Sequence, residues 1–558
     1  MAHAADPIMP LSEVRSGMSC TGFSVVRGTE IASFDVEVID VIADDPAIGG
    51  PRILIRVSGP AVDDTGVGPG FSGSPILCEG RNAGAISEGI GQYGNQVVLA
   101  TPIEEILAAR PAPTPQGARR APRLARAARP LLGPLTVGGL STGTSRLVAR
   151  AARRAGRVVL AAPPGPQGGY PVQDLRPGSA VSAAISTGDV AVGAAGTVAY
   201  RDGEEIFAFG HPLDAQGRRM LFLQDTYVFG VIGNPLGVPD LGAVTYKLTS
   251  SGGHPLGMFT NDVFSAVAGT LGAGPPSFPL RVTARERGGS GSVTLDSLLA
   301  DERELGLGTG LPFVAPLAAS TALDRLLRAF QPATLTVCTR FRVSELSKPI
   351  GYCNPYFDGF DAIAHVARAA ELVSGFDFAP LHIREAAVSM IAKRGVVDDV
   401  LVGARAAGRA RPGSRLRVRV RLQRRGGGRR TVTVRVPVPR GLPPGRRTLS
   451  LSGNGFRSEV GLFIELIESG LAGPSSQPRR TAARSAQAHR RAAGQPAAWR
   501  TAGPRTVRRL ARRVAALRRP LGIVARFGRR DPRVVLRSRE VRFEGRVRLR
   551  LRVPRERR

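Results

Sequence analysis

Short segments in which apolar and polar residues alternate run through most of the chain. Residues 34–42 alternate in this way, and an apolar run follows at residues 52–57. Residues 415–422 and 431–438 alternate strictly, and the glycines at 426–428 between them favour a hairpin. A two-residue period is typical of a strand with one buried face. The pattern therefore predicts a mostly β protein with minor α.

Helical patterns are fewer. Thr101, Pro102 and Glu104 fit a capping box with proline at the first helical position, which predicts a helix that begins here. Further helical periodicity occurs near residues 144–155, 315–330, 360–395 and 507–517. We expect the segment 505–557 to fold as a helix and a terminal strand that pack on the β region at 413–452.

Charge changes this picture less than its size suggests. The chain of 558 residues has a formal net charge of +33, yet only three of its 77 basic residues are lysine: Lys247, Lys348 and Lys393. An arginine excess alongside abundant Ala, Gly and Pro is typical of a GC-rich genome. Arginines that alternate along a strand form a solvated face, which attracts anionic polymers, acidic cell-wall material included, without sequence preference. We therefore expect no specific nucleic-acid partner.

The cysteines and the N-terminus favour an oxidising compartment. Cys338 and Cys353 are spaced for a disulfide, whereas Cys20 and Cys78 fit either a second bridge or buried thiols. Residues 2–4 have the small-x-small form of a signal-peptidase site, without the basic and apolar regions that would precede it. No cysteine spacing suits a metal, and no apolar run reaches the ~18 residues of a membrane span. We predict a secreted or envelope-associated protein with no metal, cofactor or transmembrane segment.

Two turns carry the candidate chemistry. Residues 70–75 read GFSGSP and hold Ser72 between glycines, which can expose a hydroxyl and aim backbone N–H groups at an oxyanion. Residues 209–212 read FGHP and place His211, one of six histidines, in a second turn. The pair would act as nucleophile and base if the fold brought the two side chains to about 3 Å. A GxSGSP turn is more often a plain loop, so its context decides.

That context is an ordered series of short segments. They are MPLSEV at 9–14, GTEI at 28–31, FDVEV at 34–38, ILIRV at 53–57, AGAI at 83–86, TPIEE at 101–105, RPGSA at 176–180, GD at 188–189, GTVAY at 196–200 and AFGHP at 208–212. The series resembles the peptidase family of the stage IV sporulation protein IVB, a family of trypsin-like serine peptidases. The resemblance covers roughly residues 9–110 and 170–300.

The resemblance implies a trypsin-like double β-barrel. It also implies that Ser72 is the nucleophile, that His211 is the base, and that the N–H groups of Gly70 and Ser72 are the oxyanion donors. In the family the histidine block precedes the serine block, whereas here the order is reversed. We therefore expect a permuted arrangement, since geometry and not chain order defines a catalytic triad.

The acid is the weakest part of the resemblance. The family's acidic position corresponds here to Ser-Gly-Pro at 58–60. We expect either no carboxylate next to the histidine or a substitute drawn from Asp63, Asp64 or Asp214. A Ser–Lys mechanism is an alternative and would need Lys247 as base.

The expected organisation follows from these segments. It comprises a signal-peptide remnant at 1–8, the serine half of a peptidase-like domain at 9–110, a Pro/Ala/Arg linker at 111–135, the histidine half at 136–310, a mixed α/β segment at 311–400, a β-sandwich-like domain at 401–474, a disordered linker at 475–503, and a helix with strands completing that domain at 504–558. The predicted function is that of a secreted serine endopeptidase. The alternative is a catalytically inactive scaffold that binds peptides or cell-wall polymer.

Overall fold

Strands dominate the structure. The computed structural model describes residues 6–45, 50–90, 96–110, 128–130, 135–154, 159–233, 245–328, 332–453, 505–518 and 521–554. Strands account for 52% of the structure and helices for 15%, so the mostly β class is confirmed. The chain divides into two compact units: unit 1 contains residues 1–280, 295–318 and 464–503, and unit 2 contains residues 281–294, 319–463 and 504–558.

The first six strands of unit 1 close into a barrel. They are β1 (Ser19–Arg27), β2 (Glu30–Asp45), β3 (Gly50–Ser58), β4 (Pro75–Cys78), β5 (Arg81–Ile90) and β6 (Val97–Pro102). They pair in the order β4-β1-β2-β3-β6-β5, and β5 pairs again with β4. The predicted alternation in β2 points Phe34, Val36 and Val38 into the core. We call this ring the serine barrel, because the β3–β4 connection carries Ser72.

The chain then forms a small α/β segment. Its elements are α1 (Ile103–Leu107), β7 (Ala128–Pro130), β8 (Leu135–Gly138), α2 (Thr142–Arg154) and β9 (Val159–Ala162). The predicted capping box at the start of α1 is wrong, because the N-cap is Pro102 and no side chain caps the helix. Thr101 ends a strand instead, and its hydroxyl donates to Gly210 O at 2.7 Å.

A second ring of six strands follows in unit 1. The strands from here on are β10 (Ala180–Gly188), β11 (Val192–Asp202), β12 (Glu205–Ala208), β13 (Gly217–Asp225), β14 (Val228–Ile232), β15 (Tyr246–Thr249), β16 (Pro255–Val263) and β17 (Ala266–Leu271). The ring runs β10-β13-β16-β17-β12-β11, and β11 pairs again with β10. β14 and β15 form a separate two-stranded sheet. We call the ring the histidine barrel, because His211 follows β12.

The remaining elements complete the chain. They are β18 (Ser277–Glu286), β19 (Ser292–Ala300), α3 (Leu311–Leu327), β20 (Ala333–Val343), β21 (Ile350–Tyr356), α4 (Gly359–Ser374), β22 (Ile383–Arg394), β23 (Val397–Ala407), β24 (Arg415–Arg424), β25 (Arg429–Pro437), β26 (Gly445–Gly453), α5 (Val507–Ala515), β27 (Gly522–Phe527), β28 (Arg533–Arg537), β29 (Val541–Glu544) and β30 (Arg546–Val553), with short 3-10 helices at Leu11–Glu13 and Arg303–Leu305. The chain passes between the units within β18, β19 and α3.

Two four-stranded sheets of unit 2 share one core. Their orders are β25-β24-β23-β29 and β28-β27-β26-β30. Val418 and Val420 from the first sheet and Leu449 and Ile523 from the second belong to a single buried cluster. The strictly alternating strands therefore bury their aliphatic faces against each other and leave their arginines outside.

Two sequence expectations about unit 2 need correction, and a third is confirmed. The helix predicted for 360–395 ends at Ser374, and β22 follows as a strand because its buried residues recur every second position. The segment beyond residue 505 contains four strands rather than one, and its helix α5 meets β21 through a hydrogen bond from Asn354 Nδ2 to Leu517 O. The predicted disulfide between Cys338 and Cys353 is confirmed, and it joins directly opposite residues of β20 and β21.

Several expectations concern residues outside the described part of the chain. The signal-peptidase site at 2–4, nearly all of the linker at 111–135 and the linker at 475–503 belong here.

In unit 1, Cys20 and Cys78 also form a disulfide, between opposite residues of β1 and β4. Among the described helices, none is long and apolar enough to cross a membrane.

Candidate functional site

The turn that carries Ser72 depends on glycine for its shape. Gly70 and Gly73, on either side of Ser72, have φ angles of +97° and +90°, which residues with a Cβ rarely adopt. Gly73 also packs directly on the histidine barrel, since a Cβ there would lie 1.9 Å from Thr197 O. Its N–H donates to Ile86 O at 2.7 Å. These glycines therefore fix both the conformation of the turn and its close contact with the second barrel.

The backbone N–H groups of this turn fall into two sets. Those of Phe71, Gly73 and Ser74 donate to backbone carbonyls. Within the described residues, the N–H groups of Gly70 and Ser72 have no acceptor, and the fully buried Ser72 Oγ has no hydrogen-bond partner. Buried polar groups are nearly always hydrogen-bonded, so each exception calls for an explanation. Two free donors beside a free hydroxyl provide what a tetrahedral oxyanion needs.

A second strained turn places His211. Phe209 and Gly210 have φ angles of +70° and +64°, and Thr101 Oγ1 holds the turn by donating to Gly210 O. His211 is fully buried, and its Nδ1 lies 2.8 Å from Pro212 O. Because a carbonyl oxygen only accepts, Nδ1 carries the proton, and Nε2 is the basic nitrogen of the neutral ring.

A buried carboxylate anchors the residues that follow the histidine. Asp262 in β16 accepts the N–H groups of Leu213 and Asp214 at 2.8 and 2.9 Å. Arg219 pairs with Glu302 and Asp214 beside it. Burial, together with the neighbouring Asp214 carboxyl, raises the pKa of Asp262. Asp262 thus holds the backbone that follows His211 in place. No sequence motif indicated this role.

The serine and histidine turns meet at Thr197 in β11. The Thr197 N–H donates to Ser72 O at 2.8 Å, and Thr197 O accepts the Phe209 N–H at 3.2 Å. A Cβ on Gly73 would also lie 2.6 Å from Phe209 N. The fold therefore brings together the two turns that the sequence singled out, although no hydrogen bond joins Ser72 to His211.

The three candidate acids make other contacts. The Asp63 side chain accepts a backbone N–H within its own turn, Asp64 is exposed, and the Asp214 carboxylate is paired with Arg219. The hydrogen-bond partner of His211 Nδ1 is Pro212 O, a neutral carbonyl oxygen at 2.8 Å. The identity of an acid therefore stays a prediction.

One histidine of unit 1 does have an aspartate partner. His254 Nδ1 lies 2.8 Å from Oδ2 of the fully buried Asp225, and Tyr170 donates to Oδ1 of the same carboxylate at 3.0 Å. Burial and the charge of Asp225 raise the pKa of Tyr170. Sequence reasoning did not single out this pair, although His254, like His211, lies in a Gly-His-Pro segment.

Lys247 does not serve Ser72 directly. Its Nζ donates to Ser24 Oγ at 2.7 Å and to Thr197 Oγ1 at 3.1 Å, and it lies 4.5 Å from the centre of the Phe71 ring. Burial lowers the pKa of Lys247 to about 7. The Ser–Lys alternative for Ser72 is therefore not supported by this geometry.

The site can be compared with other proteins only through its geometry. No family model, no curated protein and no solved structure matches the chain. Within the described residues, no group of three or more His, Cys, Asp or Glu side chains is arranged to hold a metal ion.

Proposed function

We propose that this protein is a serine endopeptidase in which Ser72 is the nucleophile and His211 the general base. One observation carries the proposal: in a single buried turn, the Ser72 hydroxyl and the N–H groups of Gly70 and Ser72 have no partner among the described residues, while the turn's other N–H groups donate. The histidine turn packs on this same turn through Thr197.

The architecture supports the same proposal. A trypsin-like peptidase has two β-barrels, and the resemblance to the sporulation protease family implies that arrangement in permuted order. Unit 1 contains two closed rings of six strands; the β3–β4 connection of one carries the serine turn, and the β12–β13 connection of the other carries the histidine turn. A fold alone does not establish an activity, so the site geometry remains the main argument.

The reaction follows from the atoms of the two turns. Ser72 Oγ attacks the peptide carbonyl carbon while His211 Nε2 takes the hydroxyl proton. The carbonyl oxygen becomes negative and accepts from the N–H groups of Gly70 and Ser72. The C–N bond then breaks, and His211 returns the proton to the leaving amine. Water, deprotonated by His211, hydrolyses the acyl-enzyme and restores Ser72.

Pro212 O would fix the tautomer of His211 without supplying a negative charge. A triad that loses its acid and the correct tautomer loses about 10⁴ in turnover. Because the tautomer is retained here, we expect turnover to fall by less than this factor. If Asp63, Asp64 or Asp214 moves next to the ring, we expect no such loss of turnover. Replacing each aspartate by asparagine and measuring turnover identifies such a substitute, and full activity in all three variants would exclude it.

Peptide hydrolysis tests the proposal. The purified chain is incubated with a peptide library, and cleavage is followed by mass spectrometry for wild type, Ser72→Ala and Ser58→Ala. Ser58 is an exposed serine at the end of β3 and serves as the matched control. We expect cleavage by wild type and Ser58→Ala only. Equal cleavage by Ser72→Ala would contradict the proposal.

A second candidate function rests on the arginines of unit 2. Arg405 lies directly opposite Arg419, and Arg417 directly opposite Arg435, on exposed positions of β23, β24 and β25. None of these four pairs with a carboxylate within the described residues. Like charges directly opposite in a sheet destabilise it, and an extended polyanion would relieve that repulsion. This supports binding of an acidic envelope polymer alongside hydrolysis.

Polyphosphate is a simple probe for this surface. We expect salt-sensitive binding that weakens when Arg405, Arg417, Arg419 and Arg435 are all changed to serine. It should persist in the control Arg425→Ser, whose arginine is paired with Glu544. Unchanged binding in the fourfold variant would contradict the assignment, and tight sequence-selective binding of DNA would replace it with a nucleic-acid function.

The two disulfides support a secreted or envelope location, since such bonds persist in oxidising compartments. Peptide mapping of the native protein without reductant should recover both crosslinked pairs. Free alkylation of all four thiols would count against this location.

A further inference from the structure

Lys247 is a buried cation with no counter-ion among the residues that the structure describes. Its side chain is 2% exposed, and no carboxylate in the described residues pairs with it. Isolated burial of an ammonium group is costly, so such groups usually become neutral, are compensated, or have a functional reason to be retained. Here the compensation comes from two hydroxyl groups and the face of an aromatic ring.

The backbone of Lys247 lies against the serine turn. Its N–H donates to Pro69 O at 3.0 Å, and a Cβ on Gly70 would lie 2.9 Å from Lys247 Cβ. The Phe71 ring, from the residue between Gly70 and Ser72, packs against its Nζ. The lysine therefore contacts the turn through its main chain, its aliphatic stem and its charge.

The two hydroxyl groups that accept from Lys247 Nζ are themselves hydrogen-bonded to residues on either side of Ser72. Thr197 Oγ1 donates to Gly70 O at 3.0 Å, which fixes the peptide plane that follows Gly70. Ser24 Oγ lies 2.8 Å from Ser74 Oγ. A chain of hydrogen bonds thus runs from one ammonium group to the residues two positions before and two positions after Ser72.

We propose that Lys247 is a positioning residue that holds the oxyanion-binding conformation of the serine turn and adds positive charge beneath it. The inference rests on the proposed peptidase function. Ser24 lies in β1, Thr197 in β11 and Lys247 in β15. Ser24 and Lys247 are 223 positions apart in the sequence. In the described part of the chain, the groups that face Nζ are the hydroxyls of Ser24 and Thr197 and the ring of Phe71, none of which is charged.

The protonation state of the lysine then enters the pH profile. A protonated imidazole cannot act as a base, so the general-base role of His211 accounts for the acidic limb of the profile. Because burial lowers the pKa of Lys247 to about 7, the ammonium group loses its proton at higher pH, and its stabilisation of the oxyanion declines. We expect a bell-shaped profile whose alkaline limb belongs to Lys247.

The experiment measures the rate at which a fluorophosphonate probe modifies Ser72 between pH 5 and 10. Wild type is compared with Lys247→Met, with Lys247→Arg and with the exposed control Lys393→Met. We expect Lys247→Met to lose the alkaline limb and to react at least about 10-fold more slowly at its optimum, a fraction of the loss seen on removing a direct oxyanion donor. Lys393→Met should match wild type.

The arginine variant covers the case in which Lys247→Met does not fold. Arginine keeps its charge throughout this pH range, so Lys247→Arg should also lack the alkaline limb near pH 7. An unchanged profile in a folded Lys247 variant would overturn the inference.

A readout that does not depend on catalysis separates this inference from the proposed function. Hydrogen–deuterium exchange of peptides spanning residues 66–75 should accelerate at least 10-fold in Lys247→Met and remain unchanged in Lys393→Met. If wild type never labels at Ser72 but exchange responds in this way, the peptidase proposal fails and the positioning role stands. If exchange does not change, the positioning role is wrong whatever the labelling shows.

Discussion

In unit 1 the guanidinium of Arg52 is buried against Glu88, whereas in unit 2 the arginines of β24 occupy the exposed face of a sheet whose other face is aliphatic. Both units are built from strands, yet these arginines lie on opposite kinds of sheet face. The arginines of β24 follow the general rule that charged groups stay in water, and the buried Asp399 of unit 2 is paired with Arg424 and Arg430. Unit 1 breaks it at Arg52, at Asp262 and at Lys247, all of them buried.

The difference shows in which part of the molecule the fold accepts the free-energy cost of buried charge. Buried polar groups are expensive unless every one of them is paired. In unit 1, Asp262 and Lys247 contact the histidine turn and the serine turn respectively. The core of the two four-stranded sheets in unit 2 is aliphatic and aromatic and needs no such compensation. We interpret the buried charges beside the two turns as part of the proposed site rather than as a means of stabilising the barrels.

The largest contrast between the units should appear in their ion pairs. Arg52 donates from Nε and Nη2 to the Glu88 carboxylate, with both side chains at most 5% exposed. Glu88→Gln removes the negative charge that faces this buried guanidinium, so we expect a loss of about 3–5 kcal/mol. In unit 2, Glu371→Gln breaks an exposed pair with Arg368 and should cost less than about 1 kcal/mol.

Calorimetric unfolding of both variants measures the contrast. The double variant Arg52→Met/Glu88→Leu should recover most of the loss, since an apolar pair of similar volume needs no compensation. Equal effects of Glu88→Gln and Glu371→Gln would show that the burial of the Arg52 pair is not energetically distinctive.

Glycine substitutions should show the next largest contrast. Gly73 has a φ angle of +90°, and a Cβ at this position would lie only 1.9 Å from Thr197 O. Gly73→Ala must therefore displace the backbone of the histidine barrel. We expect a loss of about 3 kcal/mol or more, together with loss of any peptidase activity. In unit 2, Gly426 has a φ of +72° but open space around its Cβ position, so Gly426→Ala should cost only about 1 kcal/mol.

Chemical denaturation and the peptide-cleavage assay test the pair. A Gly73→Ala variant as stable and as active as Gly426→Ala would mean that the contact between the two turns is not required.

The smallest contrast concerns pH and stability. The pKa of Lys247 is about 7 in the folded chain but near its ordinary value when unfolded. The unfolded chain therefore binds more protons between about pH 7 and 10, and folding becomes more favourable as pH rises through that window. We expect the Tm of Lys247→Met relative to that of wild type to be highest below pH 7 and to fall as the pH rises towards 10.

Lys393→Met is the matched control in unit 2, because Lys393 is exposed and should show no such trend. A constant Tm difference between Lys247→Met and wild type over the whole range would mean that the lysine titrates normally.

Local patterns predicted much of the fold. The alternation of residues 34–42 and 415–422 identified real strands, because one face of each is buried. The same kind of reasoning failed at Thr101 and in β22. A hydroxyl near a helix start looks like a cap in sequence, and only the folded chain shows that it donates to Gly210 instead. In β22, alanines left the period ambiguous between helix and strand.

The candidate site was predictable only where a turn requires glycine. Gly70, Gly73 and Gly210 mark the serine and histidine turns, because positive φ angles restrict the residue type. Thr197, Asp262 and Lys247 could not be assigned roles in this way. Their contacts are made across strands that are distant in sequence, and no local pattern encodes such pairing.

We propose that the serine and histidine turns form one catalytic site. Peptide mapping of the adduct that a fluorophosphonate probe forms with the native protein tests it most directly. We expect the adduct on Ser72, at a rate that falls by about 10³-fold or more in His211→Gln. No adduct on Ser72, or an equal rate in His211→Gln, would contradict the account.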